Sequence, residues 1–100
     1  MVTVLHIDVI VSDPEVRRGR PVVAGTGIRV QDIAAHHLFD KQTPEGLAAA
    51  FGLDVWKIHA ALAYYYMHKA EIDADIRQDI ARADQLYESL HAQGKATRIE

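Results

Sequence analysis

The sequence has no cysteine, which excludes a disulfide frame, a thiolate metal site and a thiol nucleophile together. Serine occurs only at Ser12 and Ser89, neither with a base nearby in sequence, so nucleophilic catalysis has little to build on. No long apolar run is present. The most apolar stretch, near the N-terminus, is broken by His6 and Asp8 and lacks a basic lead, which argues against a signal peptide or a membrane span. These absences fit a soluble protein of the reducing cytoplasm. Proline and glycine are also scarce, at three and six residues, which makes their distribution informative.

Half of the glycines and two of the prolines fall within Val11 to Val30, together with Arg17, Arg18, Arg20 and Arg29. Such concentrated punctuation implies a specified turn-and-ribbon geometry. It also places a basic patch in a body that is otherwise balanced. Residues 1–70 contain seven Lys/Arg and seven Asp/Glu, whereas residues 71–100 contain four against seven, so the net charge of −3 resides in the last third. A basic patch and an acidic tail point to two partners of opposite sign, although charged surfaces also serve solubility alone. Hydrophobic residues at 49% with 25% charged residues support one small folded domain.

The β-branched stretch Val2 to Val11 predicts a strand, ended by Asp13-Pro14. Pro21-Val22-Val23 and Ile28-Arg29-Val30 flank Ala24-Gly25-Thr26-Gly27 and predict a hairpin, which must pack on helices or on another chain. Gln31 to Asp40 predicts a helix with Ile33, Ala34, His37 and Leu38 on one face. Thr43-Pro44-Glu45 is a helix start, and Gly52 is the matching stop. A third helix follows from Val55 to about Lys69, capped by Asp54, with Val55, Ile58, Leu62 and Tyr65 as its apolar stripe.

A fourth helix is expected from about Glu71 to Gln93, ending at Gly94, with Lys95 to Glu100 frayed. Its apolar positions Ile72, Ile76, Ile80, Ala83, Tyr87 and Leu90 form a narrow seam, suited to docking on another helix of this chain or of a partner. The chain thus divides into a ribbon-and-helix domain over 1–70 and an acidic amphipathic helix and tail over 71–100. The fold class is mainly α, a three-helix core with a small N-terminal β ribbon and a long C-terminal helix.

Ala48, Gly52 and Ile58 have the spacing of a helix-turn-helix: a small residue at the crossing, a glycine at the turn, and a branched anchor on the second helix. Any compact helical hairpin needs similar residues, so a purely structural pair is the competing reading. The exposed side of the second helix offers Trp56, Lys57 and His59 but no Arg or Asn for bidentate base contacts. Phosphate contacts therefore fall to Arg17, Arg18, Arg20 and Arg29, an arrangement that favours a dimer over a monomer. Trp56 also suits a protein interface.

His36 and Asp40 are spaced as a ligand pair, but no second pair accompanies them and no metal or other cofactor is expected. Gly25-x-Gly27 lacks the Lys and hydroxyl of a phosphate loop, so its glycines are assigned to the turn. Tyr64-Tyr65-Tyr66 is expected to divide between core and surface. The chain reads as a binding protein rather than an enzyme.

Asp13-Pro14, Gly19-Arg20-Pro21-Val22-Val23, Gly25-Thr26-Gly27-Ile28-Arg29-Val30 and Ala60-Ala61-Leu62-Ala63-Tyr64-Tyr65 together resemble the bacterial family called domain of unknown function 433, over roughly residues 10–70. The chain departs from that pattern at Gly27, where the family usually has Arg, and at Arg29, where it usually has Pro. The resemblance implies a homeodomain-like helix-turn-helix and the antitoxin half of a toxin–antitoxin pair, similar to VapB-like antitoxins partnered with PIN-like ribonuclease toxins. The expected partners are then operator DNA, held by the arginine ribbon with Trp56, Lys57 and His59, and a cognate toxin. Ile72, Ile76, Asp79, Ile80, Ala83 and Tyr87 would hold the toxin, in a homodimer with no membrane contact. The alternative is a protein-interaction or assembly module that never touches DNA.

Overall fold

The computed structural model describes residues 1–94, with side chains through Leu90; the expected fraying of Lys95 to Glu100 lies outside the described residues. The chain is mainly helical, with one two-stranded antiparallel sheet near its N-terminus. Strand β1 is Ile10–Val11 and β2 is Val22–Val23, in the register Ile10 opposite Val23 and Val11 opposite Val22. Four helices follow: α1 (Val30–Phe39), α2 (Pro44–Phe51), α3 (Val55–Met67) and α4 (Lys69–Gly94).

The expected strand over Val2 to Val11 shrinks to its last two residues. Alternation of β-branched side chains favours a strand only where a neighbour supplies hydrogen bonds, and here that neighbour is two residues long. The predicted hairpin survives in minimal form. The Thr26 N–H donates to the Val23 carbonyl at 3.0 Å around Gly25, which sits at φ +78°, and the Val23 N–H donates to the Ile28 carbonyl at 2.9 Å. Val22 and Arg29 then form a single antiparallel bridge. Thr26 stitches the turn with its hydroxyl, donating to the Val23 carbonyl and accepting from the Ile28 N–H. Gly27 needs no positive φ, so of the two glycines in this turn only Gly25 is required by backbone geometry.

Helix α2 forms as its end signals dictate. The Thr43 hydroxyl accepts from the Gly46 N–H at 3.0 Å, Pro44 opens the helix, and Gly52 closes it in the left-handed conformation at φ +69°. A cap of this kind contributes about 1 kcal/mol. After the short turn Gly52–Asp54, α3 begins. Val55, expected in the apolar stripe, is exposed at the first residue of α3, whereas Ile58, Leu62 and Tyr65 of that stripe are buried. Helix α3 ends at Met67, two residues before the expected boundary. His68 leaves helical geometry at φ −123°, ψ 36°, and α4 starts at once at Lys69.

The chain forms two compact units, Met1–Lys69 and the residues from Ala70 onward. In the first, α1 packs on α3, α2 packs on both, and β1 lies against α3. Its core consists of Val30, Ile33 and Ala34 of α1, Leu47 of α2, and Ile58, Ala61, Leu62 and Tyr65 of α3, closed over by Val9, Val22 and Val23. Each large aliphatic side chain buried there contributes about 1.5–3 kcal/mol. The tyrosine run divides as expected. Tyr65 is fully buried, Tyr66 is exposed, and Tyr64 stacks on His68 with ring centroids 4.3 Å apart.

Candidate functional site

The ribbon loop brings the four arginines into two different situations. Arg17 and Arg18 lie in a single turn with positive φ, 49° and 60°, followed by Gly19 at 78°. Each non-glycine residue held this way costs about 1–2 kcal/mol. Local bonds hold the turn in place. The Gly19 N–H donates to the Val16 carbonyl at 3.1 Å, the Arg20 N–H to the Arg17 carbonyl at 3.2 Å, and the Ser12 hydroxyl to the Gly19 carbonyl. Both guanidinium-bearing side chains are exposed, and Arg17 also donates to the Gly27 carbonyl at 3.1 Å, bracing the loop against the hairpin turn.

Arg20 and Arg29 instead bind the first turn of α1. Arg20 donates to the side-chain oxygen of Gln31 at 2.9 Å, and Gln31 is itself buried. Arg29 is the N-cap residue of α1 rather than part of an open patch. Its guanidinium meets the Asp32 carboxylate at 2.8 Å and 3.1 Å, and the same carboxylate accepts from the Arg29 backbone N–H at 3.2 Å. The pair is part-buried, so its charges largely cancel. The expected four-arginine surface is therefore a two-arginine surface, with Arg20 half-buried and Arg29 neutralised.

On α3, Trp56 and His59 lie three residues apart on the exposed side. Lys57 is half-buried and places its Nζ 5.8 Å from the Trp56 ring centroid. The Ala48 carbonyl accepts from both the Gly52 and Leu53 N–H groups, Gly52 makes the turn with positive φ, and Ile58 is fully buried, so the turn glycine and the α3 anchor occupy the positions their spacing implied. The His36–Asp40 pair does close, at 2.7 Å, with His36 edge-on to Phe51. Among the described residues no three His, Cys, Asp or Glu side chains gather as a metal site.

Helix α4 divides the seam into two parts. Ile72 and Ile76 are buried, so these two residues are covered and do not form an open face. Asp79 is half-buried, while Ile80, Ala83 and Tyr87 are exposed, together with Leu86 and Leu90. Leu86 was not part of the expected seam. Among the described residues no helix is long and apolar enough to cross a membrane.

Sequence reasoning also missed a groove of about 220 Å³ lined by Ile7, Ile10, Ala60, Ala63, Tyr64 and Met67. The signal was present in the i, i+3, i+4 and i+7 spacing of Ala60, Ala63, Tyr64 and Met67, a second apolar stripe on α3 beside its core stripe.

These features define a class: a small, mainly helical protein with a strand-pair ribbon, an α2–turn–α3 pair and a separate amphipathic helix. The sequence model of the family described as protein of unknown function (DUF433) matches residues 10–65, more than half of the chain, and the chain belongs to that family. No curated protein and no solved structure matches it.

Proposed function

We propose that the chain is an antitoxin-type protein of the cytoplasm that neutralises a PIN-like ribonuclease toxin, similar to VapB-like antitoxins, and represses its own operon as a homodimer. The observation that carries this reading is the exposed part of α4. Its apolar positions Ile80, Ala83 and Tyr87 lie open in a helix whose residues 70–94 hold six acidic side chains against two arginines. A ribonuclease must gather a polyanion, so its cleft is basic. An acidic helix with an apolar stripe is chemically suited to fill such a cleft.

The operator half of the proposal uses α2 and α3 as a homeodomain-like helix-turn-helix, with Trp56, Lys57 and His59 toward DNA and Arg17 and Arg18 on phosphates. Three cations per copy, six in the homodimer, give a salt slope of about −5. Titrating salt against binding of the upstream DNA, with the toxin present, tests this half. No detectable complex even at low salt rules it out. A second reading, an assembly module that binds only protein, is favoured by the engagement of Arg20 and Arg29 within the chain and by the half-exposed Trp56. It predicts toxin binding without any DNA shift.

A further inference from the structure

The segment before β1 is the most apolar exposed stretch of the first unit. Val2, Val4, Leu5 and Ile7 are between 68% and 89% exposed, and among the described residues the segment 1–7 makes no hydrogen bond. It contains no acidic, Lys or Arg side chain. Its β-branched composition is that of a strand, yet the sheet it leads into has only two residues per strand, too little to be stable alone. Strand β2 is flanked on both sides, by β1 and by the bridge to Arg29, so the open edge belongs to β1 and the segment preceding it.

We propose that residues 2–7 pair with the same residues of a second copy of this chain, forming an antiparallel strand pair across a two-fold axis that extends the ribbon. Side chains alternate along an extended strand, so Leu5 and Ile7 share one face. Ile7 already lines the groove formed with Ala60, Ala63, Tyr64 and Met67 of α3. That face therefore covers the groove, and the same chain supplies both the unpaired strand and the surface that receives it, as an isologous contact requires.

Two observations favour a second copy over another occupant. First, charge does not oppose self-association: residues 1–69 hold seven basic and seven acidic side chains, and the segment itself gives a nucleic acid nothing to grip. By contrast, pairing α4 with itself would bring together two helices that are each strongly acidic. Second, the face that meets the groove is uncharged throughout: Leu5 and Ile7 of the strand and Ala60, Ala63, Tyr64 and Met67 of α3 carry no ionic group, so a second copy covers it without burying a charge.

The proposal does not rest on the antitoxin reading, and its test uses the full chain alone. Light scattering at micromolar concentration is expected to give a dimer. Leu5→Asp/Ile7→Asp is expected to weaken that dimer at least ~30-fold while leaving the helical circular dichroism unchanged. Because the natural chain has no cysteine, Val4→Cys and Leu5→Cys provide an independent readout. Under mild oxidation at least one is expected to form an intermolecular disulfide, and Ala49→Cys on exposed α2 is not. A monomer at every concentration, a dimer unaffected by Leu5→Asp/Ile7→Asp, a dimer abolished instead by Ile80→Asp/Tyr87→Asp, or no cross-link at either strand position would each overturn it.

Discussion

Gly27 and Gly52 both mark turns in the sequence, one in the hairpin and one at the end of α2, and only Gly52 needs a left-handed backbone. Gly52 closes α2 at φ +69°, ψ 34°, while a Cβ placed on it would meet nothing within 4 Å. Alanine there has room but the wrong backbone, at a cost of about 1–2 kcal/mol for a left-handed L-residue. A stiffer unfolded chain returns about 0.4–1 kcal/mol. The net loss is about 1 kcal/mol, or a fall in melting temperature of about 4–8 °C for a domain of this size. Gly27 has equal space and no positive φ, so Gly27→Ala keeps only the unfolded-state gain and rises by about 0.4–1 kcal/mol. Thermal melts followed by far-UV circular dichroism read both. Gly52→Asn should recover part of the loss, because asparagine tolerates the left-handed region. If both alanine variants shifted in the same direction, the assignment of the α2–α3 turn to backbone conformation would be refuted. Gly27→Arg, which restores the family's usual residue, should also fold normally.

The arginines give a second contrast. Arg18→Ala is expected to weaken DNA binding uniformly across sequences and, by removing one contact from each copy of the homodimer, reduce the salt slope by ~2 without changing the melting temperature. Arg29→Ala loses the part-buried Asp32 pair at the start of α1 and should cost about 1 kcal/mol of stability, measured by urea titration. Tyr65→Ala removes a fully buried ring of α3 from the core and should cost about 3–5 kcal/mol, enough to leave much of the chain unfolded at 37 °C by proteolysis or calorimetry.

What the sequence made legible were the elements fixed by local chemistry. Thr43-Pro44-Glu45 and Gly52 bound α2 because capping acts within a few residues, and the 3.6-residue spacing of Ile58, Leu62 and Tyr65 marks a buried face directly. The failures are non-local. Val2 to Val11 has strand composition throughout, but pairing depends on a neighbour, and only Ile10 and Val11 find one. Arg29 reads as part of a basic patch until its backbone is seen to cap α1. The clue was Asp32, three residues on, where an acid is placed to accept from the cap N–H. For the same reason the division of the α4 seam at Ile76 was invisible, since one amphipathic pattern describes covered and uncovered turns alike. The spacing of Gly52 and Ile58 marked a turn glycine and a buried anchor directly, whereas the standing of Arg20 depended on Gln31, a residue no motif singled out.

Co-expression with the product of the neighbouring gene tests whether the open stripe of α4 holds a toxin. The full chain should co-purify with that protein and suppress its ribonuclease activity. Ile80→Asp/Tyr87→Asp should lose both while keeping the melting temperature of the natural chain, because those side chains are exposed. Undiminished binding and inhibition by that variant would mean that the stripe of α4 does not hold the toxin.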